Sequence, residues 1–539
     1  MSSPDNSERS DRAPNLDYAP KWAGDDRQGR ARSAEGGLSK EGERSSSVSD
    51  LAQRRRSLDP EVVQFRQPPP PRRGRFASSA SFVIAAALGA VIGLVVTGQF
   101  PSIFGEVPSI FGEAPRSSTN GHPKNPEPSN SLPAGAVTAP TAQQPASAAP
   151  VHVATVGGAS APTPTIRGVT DTEIRFGISA PFTGPARELG QNMKIGIEAA
   201  FNVANVNGGV YGRQLRLIAV DDGYEPARTA ITMQQLYETD RVFGLVGNVG
   251  TPTAVVALPY ALDRKMLFFG AFTGAGLLRN DPPDRYVFNY RASYAEETAA
   301  VVNYLVKVRQ LLPEQIAVFA QQDAYGDAGF AGVQKAIRAL REGNETPILR
   351  LNYQRNTVDV DDAVAQLQLK RRIPIKAVIM VPTYRAAAKF IEKTRDLYPD
   401  MIYTSVSFVG STALADELML LGPKYATGVI VTQVVPAVEG HSSLVLNYKS
   451  ALAKYFPGIA SDYVSLEGYV DASVLIAALQ RNGRQLDTEK LVGTLESLRD
   501  LDVGLGTPVS FSGFEHQGVH KVWGTQLDAN GHYQPIDLQ

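Results

Sequence analysis

The sequence predicts an α/β fold, with two doubly wound parallel-sheet lobes lying beyond residue 166 of a 539-residue chain. Three observations predict it. The composition changes near Asp171, from segments rich in Pro, Ser, Ala and charge to segments able to pack a core. From there apolar strand-like runs alternate with amphipathic helical runs, the pattern of a parallel sheet covered on both faces. The alternation then restarts near Ala295, which points to two sheets rather than one long one.

Glu173–Ser179 (EIRFGIS) alternates with the two-residue period of a strand, and Asn192–Val206 carries apolar residues at helical spacing. Gln214–Val220 is a second strand, and Pro226 opens a helix to about Thr239. Val242–Val246 is a third strand. Thr251 is placed as N-cap and Pro252 as the first residue of a helix reaching Arg264. Met266–Phe269 is the fourth strand. In the second run, Ala295–Arg309, Ala328–Arg341 and Ala386–Leu397 read as helices, and Gln315–Ala320, Ile348–Tyr353 and Ala377–Val381 as strands. A hairpin closes the chain: Val519–Leu527, a turn at Asn530-Gly531, then Tyr533–Ile536.

Residues 1–75 are rich in Ser, Arg, Asp, Glu and Pro without apolar periodicity. They are expected to be a disordered cytoplasmic tail, because such a segment cannot offset its ordering entropy. The Pro68–Pro71 tract within them reads as a stiff spacer. Phe76–Thr97 carries no charge, and Phe82–Val96 (FVIAAALGAVIGLVV) is apolar over the length that spans a bilayer, so a transmembrane helix is expected over 76–100. Seven arginines against two acids lie between Leu51 and Arg75, whereas the first charges beyond the helix are Glu106 and Glu113. The positive-inside rule therefore sets the N-terminus in the cytoplasm and the remainder outside. A cleaved signal peptide fits less well, since the preceding segment is long and no small-x-small site closely follows. A non-ATG start at Val62 or Val63 would shorten that segment. Residues 101–166 open with a tandem PSIFGE repeat at Pro101 and Pro108 and continue rich in Pro, Ala, Ser and Thr. They read as a disordered tether with an end-to-end distance of roughly 40 Å.

Composition excludes several classes of function. A formal net charge of −1 argues against a nucleic-acid partner. The absence of cysteine removes disulfides, thiol nucleophiles, Cys-ligated zinc and a lipid-modified cysteine anchor. No G-x-S-x-G elbow, Walker A run or H-E-x-x-H pair occurs, and Gly270, Gly274 and Gly276 lack dinucleotide-fingerprint spacing. His516 and His520 stand four apart, but Gly518 and the adjoining strand pattern make them loop residues rather than a helical metal pair. Neither catalysis, cofactor nor metal is expected.

Open parallel sheets bind ligands beyond the carboxyl ends of their strands. The runs at those places are Pro181-Phe-Thr-Gly-Pro185, Asp221-Asp-Gly-Tyr-Glu-Pro226, Gly247-Asn-Val-Gly-Thr-Pro-Thr253 and Gly270-Ala-Phe-Thr-Gly-Ala275. Asp323-Ala-Tyr-Gly326 and Pro382-Thr-Tyr384 occupy the same position in the second run. The helix start at Thr251 can hold an anion on its free amides and hydroxyl, or Thr251 can simply cap its own helix. The small residues around Gly274 permit close backbone approach to a ligand.

In these runs the chain resembles the branched-chain amino-acid-binding proteins of ABC importers, with a type I periplasmic-binding-protein fold. The resemblance covers roughly 170–539 and rests on Asn207-Gly-Gly-Val-Tyr-Gly-Arg213, Asp221-Asp222, Gly250-Thr-Pro-Thr253, Asp323-Ala-Tyr-Gly326 and Val464-Ser-Leu-Glu-Gly-Tyr469. It implies two lobes joined by hinge strands, one of about 171–291 plus 437–507, the other of about 292–436 plus 508–539. It implies ligand contacts from Thr183, Gly250, Thr251, Thr273 and Gly274 in the first lobe, and from Tyr325, Thr383, Tyr384 and Ser407 in the second. Thr251 and Thr273 would hold a carboxylate, with Tyr325 covering it. One departure stands out: where amino-acid binders usually offer a carboxylate to the ligand's α-ammonium, the loop Val406–Gly410 aligns Ser407. The function implied is capture of a small polar molecule, an amino acid or related carboxylate or amide. A monomeric periplasmic domain tethered to the bacterial inner membrane would deliver it to an ABC permease. The alternative is a ligand-sensing ectodomain of a signalling system.

Overall fold

Strands buried on both faces must be apolar throughout, and the middle of this sequence supplies such strands. The computed structural model describes residues 166–369 and 371–539. The first sheet contains β1 (Glu173–Ala180), β2 (Gln214–Asp221), β3 (Gly244–Val246), β4 (Leu267–Phe269) and β5 (Val287–Phe288), all parallel, in the order β2-β1-β3-β4-β5. Between these strands run α1 (Arg187–Val206), α2 (Pro226–Gln234), which ends in a π turn at Gln235–Thr239, and α3 (Thr251–Asp263).

The second sheet forms from the next stretch of chain. It is entered through α4 (Tyr294–Asn303), whose capping box pairs Ser293 with Glu296. Then come β6 (Ile316–Gln321), α5 (Ala324–Leu340), β7 (Leu349–Tyr353), α6 (Asp361–Gln368), β8 (Ala377–Val381) and α7 (Tyr384–Thr394). They are followed by β9 (Ile402–Ser405), α8 (Ser411–Leu421), α9 (Pro423–Ala426) and β10 (Ile430–Gln433). Every residue of β6, β8 and β10 is buried, which explains why β8 is apolar throughout and why polar residues enter the other two only at their carboxyl ends, as Gln321, Thr432 and Gln433.

The chain next makes α10 (Ser443–Tyr455), α11 (Tyr463–Asn482) and α12 (Thr488–Glu496). Helices α10 and α11 return to pack on α1 of the first lobe. Two glycines make the α1–α11 contact close: a Cβ at Gly196 would sit 1.9 Å from the Ser465 carbonyl oxygen, and one at Gly468 would sit 2.5 Å from that of Met193. Finally β11 (Trp523–Leu527) and β12 (Tyr533–Ile536) join the second sheet, giving the order β12-β11-β10-β9-β8-β6-β7. Both pair antiparallel, so this sheet is mixed rather than wholly parallel. For β11 and β12 the reason is the short turn between them, which cannot supply the long crossover that a parallel pair requires.

The chain thus passes between the sheets three times, after β5, after β10 and before β11. The passages are stitched together. Gly518 and Val519 donate backbone hydrogen bonds to Asn289 and Tyr290, and the Tyr290 hydroxyl donates to the Val434 carbonyl at 2.9 Å.

Element starts in particular need correction. Helix α3 starts one residue early: Gly250 is its N-cap, Thr251 is its first residue, and no side chain caps it. Gly250 has φ +108°, and a Cβ there would lie 2.4 Å from the Tyr224 ring, so only glycine fits. Helix α5 begins at Ala324 rather than Ala328, because Asp323 accepts the Tyr325 amide and nucleates it there. The final hairpin's first strand begins at Trp523, not Val519. The tail, membrane span and all but the last residue of the tether lie outside the described residues. Among those described, no helix is long and apolar enough to cross a membrane.

Candidate ligand-binding site

The candidate residues lie beyond the carboxyl ends of parallel strands, where helix N-termini and short loops leave backbone groups available. Thr251 follows β3 and Thr273 follows β4, and adjacent parallel strands bring their hydroxyls to 2.7 Å. Freed from capping, Thr251 turns its hydroxyl to Thr273 while its amide remains in the unbonded first turn of α3. Both residues are fully buried. Gly274 packs directly against Tyr294, whose hydroxyl stands beside Thr273 yet completes no hydrogen bond of good geometry. Burial pushes the Tyr294 pKa up to about 12.

From the second lobe, Tyr325 brings its ring to 5.4 Å from that of Tyr294 and its hydroxyl to 3.3 Å from the Pro382 carbonyl. The Thr383 amide donates to the Tyr353 hydroxyl at 3.0 Å. Tyr384 is buried, with its hydroxyl unpartnered. Thr183 is separate from this group. It lies exposed after β1, where its hydroxyl donates to Asp221 at 2.6 Å. Burial alone would raise the Asp221 pKa, but hydrogen bonds from Thr183, the Phe182 amide and Arg228 outweigh it and hold the group at about 2.

Ser407 stands at the centre of a polar knot that the sequence reading missed. Its amide donates to Glu297 at 2.8 Å and its hydroxyl at 3.1 Å, and the Arg291 guanidinium bonds the same hydroxyl. Arg291 pairs with Glu297 at 3.1 Å and with Glu467 at 3.3 Å, and Thr432 donates to Glu297 at 2.5 Å. Burial would lower the Arg291 pKa, but the two carboxylates more than reverse this, so it stays charged. Burial drives the Glu467 pKa up to about 7 despite Arg291. Asp471, one turn further along α11, touches Gly270 and has both oxygens unpartnered. Burial and the neighbouring Glu467 push its pKa well up.

Beside Ser407, Phe408 forms the centre of an aromatic cluster. Its ring lies 4.6 Å from Tyr325, 5.0 Å from Phe272, 6.1 Å from Tyr224 and 6.4 Å from Tyr294. One signal for the missed residues was visible: Glu467 and Asp471 interrupt the apolar face of a helix that is otherwise ready for burial. Arg291 and Glu297 gave none, since each reads as an ordinary charge near a helix start.

Two α/β lobes, linked by three chain passages and enclosing polar and aromatic side chains between their strand ends, define a two-lobed binding protein of the type I periplasmic class. The chain belongs to the periplasmic binding protein family, whose sequence profile matches residues 173–532. A possible leucine/isoleucine/valine-binding protein from Rhodopirellula baltica is 41% identical, with TM-score 0.64, over 69% of this chain and 98% of that one. The Leu/Ile/Val-binding protein homolog 3 of Brucella melitensis is 24% identical over 66% of this chain and 89% of its own length. The fold alone is shared with a fatty acid ABC transporter substrate-binding protein from Thermomonospora curvata, at 21% identity and TM-score 0.61 over 69% of this chain and 93% of that one. The family is one of substrate-binding proteins, and the chain's similarity to branched-chain amino-acid binders agrees with the expected resemblance.

Proposed function

We propose that this chain is a membrane-tethered, extracytoplasmic solute-binding protein that closes two lobes on a small polar molecule and presents it to an ABC importer. One observation carries the reading. The Thr251 and Thr273 hydroxyls meet at the unbonded first turn of α3, and Tyr325 reaches toward the same place from the other lobe. In this reading Gly250 and Gly274 keep the backbone close, Thr251 and Thr273 bind the ligand's polar end, and Tyr325 covers it. Thr383, Tyr384 and Ser407 complete the second wall, and Thr183 lies at the rim.

The test is calorimetric titration with the ligand recovered by mass spectrometry from gently purified protein. A hydrogen bond to a charged group contributes about 1.5–3 kcal/mol, so Thr251→Ala is expected to weaken binding roughly tenfold to a hundredfold. Tyr325→Ala is expected to weaken it as well and to reduce ligand-induced closure seen by small-angle scattering. Unchanged affinity in both variants would place the ligand elsewhere. The tether rests on the uncharged run Phe76–Thr97 and the arginines before it. A reporter fused after residue 75 should be active only in the cytoplasm, and one fused near Thr165 only outside.

A further inference from the structure

The inference rests on the solute-binding reading above and concerns what fills the cleft. A cavity that holds a small molecule leaves exposed surface on its walls. Here the walls meet: Thr251, Thr273, Tyr224, Tyr325 and Phe408 are 0% exposed and Phe272 1%. Phe408 bridges them. It reaches in from the second lobe, after β9, and stacks on Phe272 of the first, with ring centres 5.0 Å apart and planes 28° from parallel. Tyr224, also of the first lobe, stands 6.1 Å from the same ring, and Tyr325, of its own lobe, 4.6 Å. Phe272 immediately precedes Thr273, so the Phe408 ring lies against the loop that carries the candidate polar contacts. The ring is shared between the lobes at the strand ends where a ligand is expected.

The backbone that carries this ring is anchored on both sides. Before it, the Ser407 amide and hydroxyl are fixed on Glu297. After it, the Gly410 amide donates to the Ser407 carbonyl at 3.2 Å, and a Cβ at Gly410 would lie 2.6 Å from Leu189 of the first lobe. The part of this loop free to move is therefore the side chain, by rotation to another staggered position.

We propose that Phe408 is a plug standing in for the ligand: the lobes close on its ring when no solute is bound, and a solute takes the cleft by turning that ring out. The apolar part of the solute then fills the volume of a benzyl group against Phe272 and Tyr325, while Thr251 and Thr273 take its polar end. Because the open site is populated only while the ring is out, the plug weakens every solute by the same factor. It thereby sets a threshold that a weakly held solute fails to cross.

The experiment measures the distance between the lobes in the full-length chain. The chain has no cysteine, so Ala230→Cys in α2 and Gln334→Cys in α5, both exposed, give one spin-label pair across the cleft. With Phe408 in place and co-purified small molecules removed, the pair should show one short distance. Phe408→Ala should lower the closed-to-open ratio roughly a hundredfold, and toluene, which fits the volume the ring leaves, should restore the short distance. Phe408→Leu should give a smaller shift in the same direction, and it decides if Phe408→Ala does not fold. A long distance in the cleared chain with Phe408 in place overturns the proposal, as does a short one in both variants. The second readout is the fluorine resonance of Phe408→4-fluorophenylalanine, compared between chain as purified and chain cleared. Two different resonances support displacement of the ring. One unchanged resonance, with a small molecule released from the purified chain on denaturation, overturns the proposal and leaves the solute-binding reading standing. No small molecule released at all overturns both.

Discussion

Two polar networks join the lobes, one beside the chain passages and one at the outer rim, and they are built on opposite terms. Beside the passages, Arg291, Glu297 and Glu467 have side chains 1%, 0% and 3% exposed, and their bonds close on one another. At the rim, Arg355 reaches from the end of β7 to Glu225 at 2.9 Å and to Asp323 at 3.0 Å, while Asn356 bonds Glu225 and the Gly223 carbonyl. There the Arg355 and Glu225 side chains are 24% and 41% exposed. A buried charge has no water to fall back on, so the inner network must stay intact whenever the module is folded. Rim charges lose little when water replaces their partners, so that network can open and close. The lobes are therefore pinned at one edge and only fastened at the other, as a closing clamp requires.

The largest expected effect breaks the inner side of this contrast. Glu297→Ala leaves Arg291 buried with Glu467 as its one remaining carboxylate partner among the described residues and strips Ser407 and Thr432 of their acceptor, and should cost about 3–5 kcal/mol of stability in chemical denaturation. A loss below about 1 kcal/mol would mean that water reaches this site.

Next comes the pH dependence of the same network. Glu467 titrates near 7 in the folded state, above its ordinary 4.5, so the folded form holds the proton longer. Its stabilising contribution is complete below pH 4.5 and is lost as pH rises through 7. Asp222 and Asp462, both raised by burial to about 6, add the same sign at lower pH. His520, raised above 6.5 mainly by its hydrogen bond to Glu296, also adds the same sign. Asp221 and Glu296, held near 2, act only in strong acid. Thermal midpoints should therefore fall from pH 5 to 8, and Glu467→Gln should flatten the segment between 6 and 7. An unaltered profile in that variant would remove Glu467 from the account.

The smallest effect lies at the rim. Arg355→Ala should cost less than about 1 kcal/mol of stability. It should nonetheless shift unliganded protein toward a larger radius of gyration in small-angle scattering. A large loss of stability with no change in shape would make the rim a structural joint rather than a fastening.

Much of this architecture was legible before any coordinates. Ala377–Val381 has the same bounds as strand β8, because five consecutive apolar residues beside a turn have few alternatives. Helix starts were less legible: α1 begins at Arg187 rather than Asn192, since its first turn carries little apolar periodicity. Of the candidate site, the threonines and Tyr325 were legible as candidates from their places after strands. Arg291 and Glu297 were not, because each meets Ser407 across 116 and 110 residues of sequence, and Phe408 was not, because the rings around it come from distant Tyr224, Phe272, Tyr294 and Tyr325.

What the sequence by itself determined is local: which runs are apolar with period two or 3.6, and where glycine and proline interrupt them. Those patterns follow from backbone geometry and burial alone, and they were enough for the α/β class and the two-sheet division. Only the tertiary structure decided that Thr251 bonds Thr273 instead of capping α3, and that the last two strands join the second sheet antiparallel. It also decided that Ser407, aligned where a ligand's counter-charge was expected, meets a carboxylate already neutralised by Arg291. The reason is physical: a hydroxyl or a carboxylate has many possible partners of similar strength. Which one it takes depends on what the fold brings within about 3 Å.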